Sequence, residues 1–203
     1  MNNLATPKTT DDAAWASIKT PLGLNELKIF CQDIERLFRI NPMLEFQQWE
    51  KLTANHYRMK VKNISQDEHF ELVTELKVEN QPDNTTVYYS NGLKKKTEFK
   101  FETSDHGSRL TIIDDYTGLG EDERQNRLSE VDKSLINWAD YLQRFIISWH
   151  RWSRFGLWRW YMRRVWQPMK PIGRRITYIL LWITVVEVAL LALGVAIYFV
   201  EYT

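Results

Sequence analysis

The sequence predicts an α+β domain, an antiparallel sheet of six to seven strands wrapped around a long C-terminal helix, followed by an interfacial amphipathic helix and one transmembrane helix. Three observations carry this prediction. Between residues 44 and 116 apolar side chains recur at every second position, and on both sides of that stretch they recur every three to four. Residues 176–200 then form a run of Ile, Leu, Val, Ala and aromatics broken by one charge, Glu187. At a rise of about 1.5 Å per residue such a helix reaches about 37 Å, enough to cross a hydrocarbon core of about 30 Å.

Taken in order, residues 1–12 are polar, lack the apolar core of a signal peptide, and read as a disordered tail. Ala14 to Lys19 is a first strand, ended by Thr20-Pro21 and Gly23. Leu24, Leu27, Cys31, Ile34 and Phe38 predict one amphipathic helix of about four turns, stopping before Asn41-Pro42 because a residue preceding proline avoids the helical region. Leu44–Trp49 begins the sheet. Tyr57, Met59 and Val61 then alternate with Arg58, Lys60 and Lys62. Phe70, Leu72, Leu76 and Val78 alternate with Glu71, Glu75, Lys77 and Glu79, and Phe99 and Phe101 with Glu98, Lys100 and Glu102. Leu110, Ile112 and Tyr116 make the last strand. Strands apolar on one side and charged on the other belong to an antiparallel sheet with one covered face, and Pro82-Asp83-Asn84, Asn91-Gly92 and Asp105-His106-Gly107 supply its turns. After Gly118 and Gly120 the helical period returns through Leu128, Val131, Leu135, Trp138, Leu142, Phe145 or Ile146, and Trp149, a helix of about eight turns that covers the sheet.

Strand, helix, meander, long helix is also an order seen before. With Ile34-Glu35-Arg36-Leu37-Phe38-Arg39-Ile40-Asn41-Pro42 at the end of the first helix and Gly107-Ser108-Arg109-Leu110-Thr111-Ile112 entering the last strand, residues 13–150 resemble the SRPBCC superfamily. That superfamily has the helix-grip fold and includes START lipid-transfer domains, polyketide cyclases and pollen-allergen-like hydrophobic carriers. The resemblance implies a cavity between sheet and long helix that holds a hydrophobic molecule. It would be lined by Tyr57, Met59, Val61, Phe70, Leu72, Thr74, Leu76, Phe99, Phe101, Leu135, Trp138 and Leu142. The residues themselves leave open whether they line a cavity or fill it, since aromatic side chains bury about 150–250 Å² each. The added anchor departs from the usual pattern of that superfamily and argues against a freely diffusing carrier.

Charge is segregated along the chain. Between Trp149 and Arg175 there are eight basic residues and no acidic one, whereas residues 1–148 carry 19 basic and 24 acidic side chains, a net of −5. The positive-inside rule then places the N-terminal domain in the cytoplasm, on a single-pass protein of an inner (plasma) membrane. An acidic domain has no nucleic-acid signature, so the basic segment is read as meeting anionic lipids. The expected organisation is a tail at 1–12, the helix-grip domain at 13–152, a basic, Trp-rich interfacial segment at 153–175, and the span at 176–200. Arg154-Phe155-Gly156 breaks the long helix. From Leu157 to Trp166 the apolar residues share one half of a helical wheel, apart from Trp160. Trp158, Arg159, Trp160, Arg163, Arg164 and Trp166, with Arg174 and Arg175 beyond them, are the candidate membrane-interface residues, and burial of this run in the soluble core is not expected. Within the span, Glu187 shares a face with Leu180, Ile183, Leu191, Gly194 and Tyr198, while Ala189, Ala192 and Ala196 form a small-residue stripe on the opposite face. Glu187, Gly194 and the alanines are the candidate contacts to a transmembrane protein partner.

No catalytic constellation emerges. His56, His69, His106 and His150 lack metal-ligand spacing, the lone Cys31 supplies no partner and suits a reducing compartment, and no cofactor or metal is called for. Asp114 and Asp115 are adjacent on a strand and point to opposite faces, so they do not act together, and both are expected to be solvated at a strand end. Three functions remain: a membrane-anchored module binding a lipid or other hydrophobic small molecule; an accessory or assembly subunit docking through its span and domain surface; and a cyclase- or isomerase-like enzyme, which a carboxylate turned inward at Asp114 or Asp115 would favour.

Overall fold

The computed structural model describes residues 13–67, 69–117 and 133–202. The expected tail at 1–12 and the helical positions Leu128 and Val131 lie outside the described residues.

Strand β1 (Ala13–Thr20) is followed by helices α1 (Leu24–Cys31) and α2 (Ile34–Ile40). Six strands then run as a meander: β2 (Leu44–Thr53), β3 (His56–Asn63), β4 (Phe70–Asn80), β5 (Asn84–Tyr89), β6 (Lys96–Ser104) and β7 (Gly107–Asp115). The sheet has seven strands in the order β1-β7-β6-β5-β4-β3-β2, with each pair antiparallel. Each meander strand therefore pairs with the next, and β1 adds to the outer edge of β7, with Ala13 opposite Asp115 and Thr20 opposite Ser108. Gly107 turns the β6–β7 hairpin at φ +136°, and a Cβ there would collide with the Thr20 carbonyl, so this corner admits only glycine.

Alternation along the strands puts Tyr57, Met59 and Val61 of β3, Thr74, Leu76 and Val78 of β4, Phe99 and Phe101 of β6, and Leu110 and Ile112 of β7 on the covered face. Helix α3 (Leu135–Trp152) lies across it, burying Trp138, Leu142 and Ile146. Gln143 Nε2 donates to the Lys19 carbonyl at 3.0 Å and fastens the helix to β1. An antiparallel sheet gripping a long helix is the helix-grip architecture that the element order predicts.

Two expectations about helices are corrected. The single helix predicted from Leu24 to Phe38 is two helices, because Asp33 Oδ1 accepts the Arg36 amide at 3.1 Å and caps a new helix at that point. Leu27, Cys31, Ile34 and Phe38 all stay buried across the break, so the apolar spacing carries no trace of it. The long helix begins at Leu135, with Ser134 at its N-cap position, and has 18 residues, about five turns rather than eight. It stops before Arg154-Phe155-Gly156 as the sequence predicts, and α4 (Gly156–Tyr161), a π-helical turn (Met162–Trp166) and α5 (Pro171–Tyr202) follow. By length and composition α5 is able to cross a membrane, and none of its apolar window is buried.

Candidate functional site

A cavity of about 350 Å³ lies between α2, the start of α3 and the β3–β4–β5 part of the sheet. Its apolar wall comes from Phe38 of α2, Leu44, Met59, Val61, Leu72, the Tyr89 ring, Leu93 and Trp138 of α3. Trp138 is held by its own polar edge, since Nε1–H donates to the Leu37 carbonyl at 2.9 Å, and by ring contacts to Phe38 at 5.3 Å and Phe99 at 5.6 Å. Asn41 closes one side, donating through Nδ2 to Ser134 Oγ at 2.7 Å while its Oδ1 accepts the Met43 amide at 2.9 Å. On the other side the β5–β6 turn brings in Gly92, at φ +108°, where a Cβ would stand 3.1 Å from the Leu72 side chain.

Of the predicted cavity residues, Met59, Val61, Phe70, Leu72 and Trp138 line this space. Tyr57, Leu76, Phe99, Phe101, Leu135 and Leu142 do not: they are buried in the continuous core around it, as is Thr74. The choice between cavity and filled core therefore resolves into both, in different places. Phe99 stands edge-on to Trp138 and packs the centre solid, while the space survives towards β3 and β4. Sequence reading missed Phe38, Asn41, Asn63, Tyr89, Leu93, Lys94 and Tyr116. Signals for three of them were present: Phe38 and Tyr116 sit on apolar periodicities, and Leu93 is an apolar residue beside the Asn91-Gly92 turn, which the structure buries.

The expected solvation is corrected for Asp114. Asp114 is fully buried on the inner face of β7, 2.7 Å from Lys94 Nζ, and accepts a hydrogen bond from Thr97 Oγ1 at 2.5 Å. Thr97 stands opposite it on β6 and shares a hydrogen bond of 2.9 Å with the Tyr89 hydroxyl. Tyr89, Thr97, Asp114 and Lys94 thus form one connected polar group, and Tyr89 and Lys94 also line the cavity. Asp115 points the other way, towards Lys96 at 3.6 Å. Its partial burial would raise its pKa, but the Thr117 amide and the Lys96 charge outweigh that and hold the carboxyl below its usual range. His56 pairs with Glu75 at 3.0 Å, and among the described residues no group of three His, Cys, Asp or Glu is placed to hold a metal.

The basic segment is divided by the fold. Trp158, Tyr161 and Trp166 are partly buried against the domain core and Met162 is buried in it, contrary to the expectation that this run stays clear of the core. Their partners explain the correction: Trp166 lies 5.3 Å from Phe145, and Trp158 lies 5.6 Å from Trp149. Trp160, Arg159, Arg163, Arg164 and Arg175 are exposed, as is Leu157. Arg174 is folded inward, donating to the carbonyls of Arg39 at 2.7 Å, Gln167 at 2.9 Å and Trp166 at 3.1 Å, with its guanidinium 4.1 Å from the Trp166 ring. On α5, Glu187, Leu191, Gly194 and Tyr198 line one shallow groove, and Ala189, Ala192 and Ala196 are exposed elsewhere on the helix.

No protein-family model matches this sequence, and no curated protein matches it. Solved structures similar to the chain include a protein from Thermus thermophilus, 11% identical, covering 67% of this chain and 97% of that one at a TM-score of 0.49. The Polyketide_cyc-like protein from Corynebacterium glutamicum is 17% identical, with 71% and 96% covered and a TM-score of 0.36. The AHSA1-like protein from Aeromonas hydrophila is 11% identical, with 65% and 92% covered and a TM-score of 0.39. The fold assignment rests on this chain's own sheet order and gripped helix.

Proposed function

We propose that this chain is a membrane-anchored binding module that holds an apolar small molecule between its sheet and α3. The observation that carries the reading is the cavity of about 350 Å³ bounded by Phe38, Met59, Val61, Leu72, Tyr89 and Trp138. That volume falls in the lower range of ligand sites, about 300–1,000 Å³. It matches about a dozen water molecules by volume at about 30 Å³ each, which suits a ring system or a short chain rather than a whole two-chain lipid.

Anchoring is proposed through α5, with the domain on the cytoplasmic side. The eight basic residues between Trp149 and Arg175 support that orientation. The exposed set Leu157, Trp160, Arg159, Arg163 and Arg164 supports contact with anionic headgroups. A second reading, as an accessory subunit of a membrane assembly, is favoured by Glu187, which shares a groove with Gly194 and Tyr198 and is the one charged residue between positions 176 and 200.

Native mass spectrometry of the full-length chain, extracted mildly from its own membrane, tests both. One reproducible small-molecule adduct is the result expected. A chain seen only within a larger assembly, without an adduct, would replace the binding reading by the subunit reading.

A further inference from the structure

Between the α1–α2 corner and the far end of α3 lies an open groove of about 600 Å³ that shares no lining residue with the apolar cavity. Two guanidiniums line it, Arg36 from α2 and Arg163 from the π-helical turn. Both lie over the Trp149 ring, at 5.2 Å and 5.6 Å from its centroid, and Arg36 also lies 4.0 Å from that of Phe30. Of the five N–H donors of a guanidinium, Arg36 spends one, from Nη2 to the Phe30 carbonyl at 2.8 Å. Its Nε is sealed from water without a hydrogen bond, 3.5 Å from Asp33 Oδ2. Arg163 has no carboxylate within ion-pair distance among the described residues. The two acids of the groove are committed elsewhere: Asp33 Oδ1 caps α2 through the Arg36 amide, and Glu26 Oε2 accepts the Gly23 amide at 3.0 Å. Burial lowers the Arg36 pKa, Asp33 opposes that, and the like charge of Arg163 lowers it again, so that it ends below its ordinary value.

A nearly buried cation with most of its donors unspent, beside a second cation with no counter-ion, suits an oxyanion whose oxygens reach both at once. A phosphate has that shape, and the guanidinium fork matches it, whereas a carboxylate with two oxygens fills one fork. By volume the groove holds about twenty water molecules at about 30 Å³ each, which leaves room for the organic part of an ester as well. We propose that this groove is a phosphate-binding site in which Arg36 and Arg163 hold one phosphate group between them. Lipid headgroups and free phosphates both offer that group. The inference goes beyond the binding-module reading and does not depend on the cavity.

Calorimetric titration of the full-length chain in dodecyl maltoside micelles and phosphate-free buffer tests this with three probes: inorganic phosphate, glycerophosphoglycerol (a phosphodiester headgroup without acyl chains) and glycerol. Saturable binding of a phosphate probe at one site per chain, with none of glycerol, is the expected result. Arg163→Gln is expected to weaken it about tenfold or more, as loss of a charged donor implies, and because Arg163 is exposed the fold is not put at risk. Arg151→Gln removes an exposed charge that does not line the groove, and the affinity there stays within twofold. Tighter binding of glycerophosphoglycerol than of inorganic phosphate assigns the site to lipid headgroups, and the reverse order assigns it to free phosphate. No saturable binding of either phosphate probe overturns the proposal. Equal weakening by the two variants overturns it as well, because the groove would then be part of a diffuse basic surface.

Discussion

Arg174 is the residue through which the domain holds α5, and removing it is a sharp test of how the two are joined. Of its three carbonyl acceptors, Gln167 and Trp166 belong to the turn just before α5, while Arg39 belongs to the end of α2. Only the bond to Arg39, at 2.7 Å, ties α5 to α2. Its net worth as a hydrogen bond from a charged group is about 1.5–3 kcal/mol, taken at the low end because the site is part-buried. The guanidinium also lies 4.1 Å from the Trp166 ring, which is seated on Phe145, and a cation–π contact of that kind adds about 0.5–1 kcal/mol. Arg174→Met keeps the aliphatic stem and loses both, a deficit of about 2–2.5 kcal/mol, or about 30- to 70-fold in the equilibrium for local opening. Hydrogen exchange of the full-length protein in nanodiscs, read on peptides covering residues 36–43 and 162–175, is expected to speed up by that factor in both. Arg174→Lys restores the charge but not the planar fork and recovers only part of the protection. Exchange within twofold of the unaltered chain in the Met variant would refute the strap.

Two further outcomes follow from the core. Leu142 is fully buried where α3 meets the sheet, so Leu142→Ala is expected to lower unfolding free energy by about 3 kcal/mol or more in a denaturant titration, and a loss under about 1 kcal/mol would mean that α3 is not seated there. Burial pushes the Cys31 thiol well above its ordinary range. It is expected to resist alkylation in the native protein and to react on unfolding; because the folded state keeps its proton where the unfolded chain loses it, the associated stability is complete below about pH 8.5 and falls as pH rises beyond it.

What the sequence disclosed and what it hid divide along physical lines. Strand alternation is a local signal, and the period of two in Tyr57-Met59-Val61 and Phe99-Phe101 assigned those side chains to the covered face without reference to any partner. The polar end of the cavity is a non-local object. Lys94 sits in what reads as a turn, its counter-ion is 20 positions away, and the pair exists only because β6 and β7 align Thr97 with Asp114. The helix break at Asp33 was hidden for a different reason: an N-cap aspartate inside a charged stretch looks like any solvated residue, and the apolar spacing runs on through it.

The Trp- and Arg-rich segment shows the deepest ambiguity. Amphipathicity states that a helix has an apolar face, not what that face meets, and a bilayer and a domain core satisfy it equally. Here Trp158, Tyr161, Met162 and Trp166 are spent on the core, and Arg174 is spent on backbone carbonyls. What remains on the outside is a smaller set: Leu157 at 80% and Trp160 at 57% exposed, flanked by Arg159, Arg163 and Arg164. Trp160 was the residue that fitted the helical wheel worst, and it is exposed because it lies off the face that the core has taken. An apolar residue out of phase with its helix, surrounded by arginines, is thus a better marker of what stays outside the core in this chain than the apolar face itself.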